Sequence, residues 1–354
     1  MRNSFCYGRC FSTQQSYTQG FVLIAVLGMI VVISLIAAFI DTYAAQRLRQ
    51  AEEVRLSWNS RLDQQATLAT ILQIVATRSR GPQGFLFEIN KMSADSLVSS
   101  SPLHQLAADG RAYHGIGESG FSVQDEGALL SLLDPSRQRW QFFLSQQGLT
   151  SAESERFLDL LLDYTDKDKF RRLNGATDED YAAKGMMLPR HRLMVSPGEI
   201  GNLLDADKWE EWLPSVQMLS TTRSGQLLNI NTMPAPLLAT LDGFDDDLIA
   251  RMVLLRQEKP FSSIEDANQR LGKLLPLDPS MVPGIISIYS RVMIWDQSNG
   301  SDCRHQKWIG ISLSPSSKHA PWDIDYAITF DHGPDCGMLR PLLAAPLFST
   351  PVAG

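Results

Sequence analysis

"TQGFVLIAVLGMIVVISLIAAFID", Thr18 to Asp41, decides how the rest of the chain is read. From Phe21 to Ile40 only Gly28 and Ser34 interrupt the apolar run. At about 1.5 Å of rise per residue, a helix of that length covers the hydrocarbon core of a bilayer. A polar leader with two arginines, Arg2 and Arg9, precedes the run and ends at a Gly20–Phe21 junction. A secretory signal has a shorter apolar core and is cut after it, so a junction that precedes the core belongs to another kind of anchor. No proline occurs between Phe21 and Gly81. Ala44, Leu48, Ala51, Val54, Trp58, Leu62, Ala69, Leu72 and Val75 recur largely at three- and four-residue steps, with polar residues opposite. The spacing predicts one helix of about 55–60 residues, its first half in lipid and its second half packed on a globular head.

The 354 residues suffice for more than one unit at about 100–200 residues per domain. Hydrophobic content of 44% and charged content of 20% argue against long disorder. The net charge of −7 becomes −9 if residues 1–20 leave with their two arginines and no acids. That balance disfavours nucleic acid or an anionic lipid surface as the main partner. Cys6 and Cys10 lie in the leader, which leaves Cys303 and Cys336 as one disulfide in an oxidising compartment or as two unpaired thiols. Arg47, Arg49, Arg55 and Arg61 follow the span, and counting positive charges alone would put that side in the cytoplasm. The cysteine pair and the leader point outward instead, and the orientation is taken from them.

In the head, "GFLFEIN", "RAYHGIG" and "GFSVQDEG" read as short strands between turn residues. From about Ala128 to Pro283 the spacing becomes helical, in "SRQRWQFFLSQQG", "SAESERFLDLLLDYTD", "PAPLLATLDGF" and "DDLIARMVLLRQE". Ser151, with Glu153 and Glu155, is the expected start of the second of these. Strand-like text returns in "SIYSRVMIW", "KWIGISLS" and "WDIDYAITF", so a helical block is expected to be inserted into a small sheet. The tail "LLAAPLFSTPVAG" is expected to be poorly ordered.

A leader, a glycine, an aromatic residue and a long half-lipid helix together resemble a type IV pilin-like protein. The resemblance implies cleavage between Gly20 and Phe21 by a prepilin peptidase and methylation of the Phe21 amine. Most such subunits carry a glutamate at the fifth mature position, where this chain has Ala25. A narrower resemblance rests on "LLLDYTDKDKFRRLNGATDEDY" (Leu160 to Tyr181), "SPGEIGNLL" (from Ser196) and "LLNINTMPAPLLATLDGFDDDLIARMVLLRQEKPFSSIEDANQRL" (Leu227 to Leu271), with "FSVQDEGALL" and "SIYSRV". Together these are similar to the general secretion pathway protein K family, the large minor pseudopilins of bacterial type II secretion systems. Members typically lack the fifth-position glutamate, so Ala25 supports the resemblance. "DEGALLSLL" lacks the Lys and Asn the family often shows after its glycine, and nothing past about Asp331 is matched.

The resemblance implies an α+β chain: a type IV pilin-like fold whose long N-terminal helix packs on a small antiparallel sheet, with a large all-α, SAM-like or helix-hairpin-helix-like domain inserted in the sheet. The expected divisions are a leader at 1–20 and a stem helix at 21–78 with 21–40 in the membrane. The first β region spans 79–127 and the helical insertion 128–283, in halves at about 128–220 and 227–283. The last strands span 284–332 and the tail 333–354. The implied location is the inner membrane, single-pass, with the head in the periplasm. The implied partners are minor pseudopilins of the I and J types, a major pseudopilin and the prepilin peptidase. A minor pilin of a type IV pilus, serving adhesion or DNA uptake, is the alternative.

Helix-hairpin-helix turns hold phosphate through bare backbone N–H groups. Here Gly243 is followed by Phe244 and Asp245 rather than a second glycine, and Asp242, Asp246 and Asp247 crowd the turn, so no nucleic acid is expected. Asp163, Asp166, Asp168, Asp178 and Asp180, with Glu179 beside them, offer the oxygen ligands a hard cation such as calcium takes. Their spacing is not that of an EF-hand, and a solvated loop with helix caps is the other reading; the family resemblance favours calcium, with Asp166 and Asp168 foremost. His104, His114, His191, His305, His319 and His332 show no metal spacing, and no nucleophile elbow or P-loop is present, so the chain is not expected to be an enzyme. Trp58 and Trp140 are expected to be packing residues.

Overall fold

A single helix, α1 (Gln19–Thr77), runs 59 residues without a break, as its lack of proline permits. The computed structural model describes residues 19–87, 105–168, 170–224, 228–297, 304–314, 317–332 and 342–345. Cys303 and Cys336 lie outside the described residues. The chain divides into two units, Met1–Asn59 and Ser60–Gly354.

In the first unit the helix buries almost nothing. Leu27 is 64%, Leu48 71% and Trp58, expected to be a packing residue, 60% exposed. Burial starts in the second unit with Ser60, Gln64, Thr67, Ile71 and Ile74, alternating four- and three-residue steps along one face. Half of that face is polar, which hides it from a hydrophobic-periodicity reading. Thr67 shows why a hydroxyl suits it: its Oγ1 lies 2.7 Å from Ser119 Oγ and accepts from Ile116 N at 2.9 Å. Ala69, by contrast, is exposed.

After α1 come β1 (Ser79–Arg80), β2 (Gly84–Leu86) and β3 (Gln105–Ala107), a small antiparallel sheet. β4 (Asp109–His114) and β5 (Ser119–Asp125) open a second sheet. The chain then leaves through β6 (Leu130–Ser131), α2 (Arg137–Gln146), α3 (Ser151–Thr165), α4 (Asp178–Ala183) and α5 (Leu213–Leu219) to β7 (Ser220–Thr221), which pairs parallel with β6. It continues through α6 (Ala235–Leu238), α7 (Asp246–Glu258) and α8 (Ile264–Leu271) and re-enters the sheet as β8 (Tyr289–Asp296), β9 (Arg304–Leu313) and β10 (Trp322–His332). β11 (Leu343–Ala344) closes the order β10-β9-β8-β5-β4-β11. Because β5 and β8 are direct antiparallel neighbours, from Ser119 opposite Asp296 to Asp125 opposite Ser290, the helices occupy an excursion between two adjacent strands. β11 pairs parallel with β4 at Tyr113 and His114, so the tail expected to be poorly ordered contributes a strand.

Both faces of β8 are covered. Val292 and Ile294 join Ile71, Ile74, Phe121 and Ile309 on one side. Met293 and Trp295 join Trp308 and Tyr326 on the other. Gly310 lets the Tyr326 ring lie flat across β9: a Cβ there would sit 2.2 Å from the ring. The helices have their own core, in which Phe157 meets Trp140, Trp209 and Trp212 at 5.6, 5.4 and 5.6 Å between ring centres. α3 starts at Ser151, as expected, and Thr150 before it is the cap: its hydroxyl accepts from Glu153 N, and the Glu153 carboxylate accepts from Thr150 N at 2.8 Å.

Candidate functional site

Three regions carry the residues singled out in the sequence. The first is the start of α1. Gln19, Gly20 and Phe21 form its first turn, and the stretch from Val22 is the one helix among the described residues long and apolar enough to cross a membrane. Ala25 lies on its exposed surface, and the first ionisable side chain after Phe21 is Asp41.

The second region is a polar joint where the excursion leaves and re-enters the sheet. Glu126, in a 3₁₀ turn after β5, meets Arg291 of β8 at 3.2 Å, and both side chains are 1% exposed. Tyr326 Oη donates to Glu126 Oε1 at 2.5 Å and accepts from Arg291 Nε at 2.8 Å. Arg291 also donates to the carbonyls of Gln217, Met218 and Ser220, tying β8 to the end of α5 and to β7. Burial alone would weaken the Arg291 proton, but Tyr326 and Glu126 outweigh it and hold the guanidinium above its ordinary value. Next to Glu126, Asp125 accepts from Gly127 N at 3.1 Å, Thr232 Oγ1 at 3.0 Å and Ser287 N at 3.3 Å. Burial pushes the Asp125 carboxyl up. "FSVQDEGALL", "NINTM" and "SIYSRV", distant in sequence, are thus three sides of one joint.

The turn that begins "NINTM" is held from behind. Asn231 Nδ2 donates to the Phe261 carbonyl and its Oδ1 accepts from Phe261 N, at 3.0 and 2.8 Å. Arg256 of α7 donates to the carbonyls of Ile230 and Met233, both at 2.7 Å. At the start of α7, Asp245 Oδ1 accepts from Leu248 N at 2.8 Å, so an amide that a phosphate would need is already used.

The third region is the acidic loop between α3 and α4. Arg172 Nη1 bridges Asp163 at 2.6 Å and Asp166 at 2.5 Å. Asp163 also accepts from the backbone N of Arg172 and Ala176, at 3.1 and 3.0 Å. The loop closes on this carboxylate so tightly that a Cβ at Gly175 would lie 1.6 Å from Asp163 Oδ2. Asp168 accepts from Phe170 N at 2.9 Å. Asp178 meets His191 Nε2 at 2.8 Å, while His191 Nδ1 reaches the Asp166 carbonyl at 3.2 Å. Asp163, Asp168 and Asp178 line one hollow of about 120 Å³ with Glu179 and His191. Asp180 turns aside to accept from Thr177 N at 2.9 Å and to face Arg171 at 3.6 Å.

The donor set suits a hard cation, and Asp166 Oδ1 is buried without a hydrogen-bond partner. Between Asp163 and Asp166, however, the positive charge is supplied by Arg172. Among the described residues no three His, Cys, Asp or Glu side chains are gathered closely enough to hold an ion. Sequence reading did not pair Arg172 or His191 with these acids; the basic residues interleaved in "DKDKFRR" were the available signal.

A family model described as type II secretion system (T2SS), protein K matches residues 228–277. A curated relative, type II secretion system protein K of Pectobacterium carotovorum subsp. carotovorum, is 24% identical over 282 residues, 74% of this chain and 84% of the relative. Both similarities are to type II secretion protein K. The segment matched by the protein K model contains Asn229, Asn231, Thr232 and Arg256, the residues that build the turn beside the joint. Among solved structures, that of the GspK–GspI–GspJ complex of the enterotoxigenic Escherichia coli type 2 secretion system matches with a TM-score of 0.47 and 15% identity, covering 80% of this chain and 99% of that one.

Proposed function

We propose that the chain is a minor pseudopilin of a type II secretion system, capping the tip of a periplasmic pseudopilus and helping to start its assembly for export of folded proteins. The observation that carries this reading is Ala25, set in an apolar helix with no ionisable side chain from Phe21 to Ile40 and joined to a head similar to type II secretion protein K. An acid inside the bilayer is costly unless it finds a partner, and the charged N-terminal amine of a neighbouring stem, at the same depth, would be that partner. A stem with alanine in place of the acid cannot reach up to a subunit above it. Its own Phe21 amine still receives the acid of the subunit below. A subunit that can be followed but cannot follow belongs at the tip.

On this reading residues 1–20 are removed at Gly20–Phe21 by a prepilin peptidase, Phe21 is N-methylated, and the head lies in the periplasm. The sheet is pilin-like, and the excursion from β6 to α8 is a SAM-like insertion whose bulk has no layer above it to meet. The partners are two minor pseudopilins of the I and J types, with the major pseudopilin below. The role is assembly rather than a chemical reaction. Calcium in the acidic loop would have to take the Arg172 position between Asp163 and Asp166. The alternative, a minor pilin of a type IV pilus, has the same stem but is not favoured by the protein K segment at residues 228–277.

The experiment is the intact mass of protein extracted from the inner membrane, with deletion of the gene beside it. A chain beginning at methylated Phe21 and a deletion that stops export of folded proteins are expected. An intact leader, or normal export without the protein, would overturn the reading.

A further inference from the structure

A cleft of about 250 Å³ opens between β4 and helices α6 and α7, with Met218, Met293 and Val253 in its apolar wall. Three arginines also reach it: Arg111, Arg256 and Arg291. Two of them are neutralised within the chain. Arg111 clamps Asp109 through Nε at 2.8 Å and Nη2 at 2.5 Å, and Arg291 meets Glu126 at 3.2 Å. Arg256 is different. It is 4% exposed, its Nη1 is bound to two carbonyls, its Nε is buried without a hydrogen-bond partner, and it forms no ion pair among the described residues. Burial works against its charge and draws its pKa down; the Asp109 field opposes that only in part. Asp109, the one carboxylate in the wall of the cleft, is already clamped by Arg111, and a buried cation without a counter-ion of its own is a cost that a folded chain ordinarily avoids.

We infer that this cleft receives a carboxylate from a partner protein, an Asp or Glu side chain flanked by an apolar residue, which supplies the missing counter-ion to Arg256. The size of the cleft selects the occupant. Sites for whole small ligands run from about 300 Å³ upward, whereas this one has room for one or two side chains. The carboxylate would answer Arg256, and the adjoining apolar side chain would cover the two methionines. The inference stands on the cleft alone and does not depend on the position of the protein in a fibre.

The full chain in lipid nanodiscs, with its methionine methyls labelled for NMR, tests it. The probes are the blocked dipeptide acetyl-Leu-Glu-amide and its uncharged twin acetyl-Leu-Gln-amide. The Glu peptide should shift the Met218 and Met293 methyl signals saturably and bind at least tenfold more tightly than the Gln peptide. Arg256→Met should erase that preference. Should Arg256→Met fail to fold, Val253→Trp, which fills the cleft and leaves the arginine in place, should abolish the shifts caused by the Glu peptide. Equal affinity for the two peptides, no saturable shift at either methionine, or a preference that survives Arg256→Met or a shift that survives Val253→Trp would overturn the inference.

Discussion

Replacing Arg291 with methionine is the sharpest test of the joint between the sheet and the helical excursion. Methionine keeps the apolar stem of the side chain but removes every donor, along with the guanidinium that lies 5.3 Å from the centre of the Trp308 ring. Glu126, 1% exposed, would keep Tyr326 and Thr221 as hydrogen-bond partners and Arg223 at 3.8 Å. The carbonyls of Gln217, Met218 and Ser220 would lose their guanidinium donors. Breaking a buried pair from one side costs about 3–5 kcal/mol, and each carbonyl left dry adds about 1–3 kcal/mol where neither water nor relaxation reaches it. Since those losses overlap, a total of about 5 kcal/mol is expected. Glu126→Gln, which keeps an acceptor for Tyr326 and leaves Arg291 its three carbonyls, should cost about 3 kcal/mol, the low end of the range for a buried pair broken from one side. Equilibrium unfolding of the full chain in denaturant, followed by tryptophan fluorescence, gives both values. The double variant should lose less than the sum of the two, by at least about 1 kcal/mol. A loss below about 1 kcal/mol for Arg291→Met, or strict additivity, would refute the reasoning.

Three further outcomes follow from other parts of the head. Gly175→Ala should destabilise it by about 1–3 kcal/mol in the same unfolding assay, since the new Cβ would lie 1.6 Å from Asp163 Oδ2; an unchanged midpoint would show that the loop yields freely. Burial pushes Tyr113 and Tyr181 up to about 12 from an ordinary 10.0, so their neutral forms stabilise the fold fully below pH 10 and that contribution is lost as the pH rises toward 12. Unfolding midpoints should therefore fall above pH 10, and absorbance titration should show the tyrosinates of these two residues only as the fold opens. If calcium enters the acidic loop, melting with calcium and with chelator should give different midpoints, and Arg172→Gln should widen the gap; equal midpoints in both proteins would mean that arginine alone serves these carboxylates.

The parts of the molecule visible in the sequence are those governed by neighbours along the chain. The span from Phe21 to Ile40 is visible because a bilayer demands an unbroken apolar run, and α3 and α7 because their apolar residues keep helical spacing. The packed face of α1 was not, because Ser60, Gln64 and Thr67 are buried by polar contacts that no hydropathy pattern marks. The joint was not either: Glu126, Arg291 and Tyr326 are separated by 165 and 200 positions and meet only when β8 returns beside β5. In the acidic loop the carboxylates stood out at once. What the sequence could not show is that Arg172 reaches back to two of them, or that Asp180 spends its oxygen on the Thr177 amide instead.

Immunogold labelling of pseudopili, raised by overproducing the major subunit in cells that also make this protein, tests the tip assignment most directly. An antibody against the head should mark a single end of each fibre. Gold spaced regularly along the shafts would contradict the account, because a stem with Ala25 would then be following other subunits into the fibre.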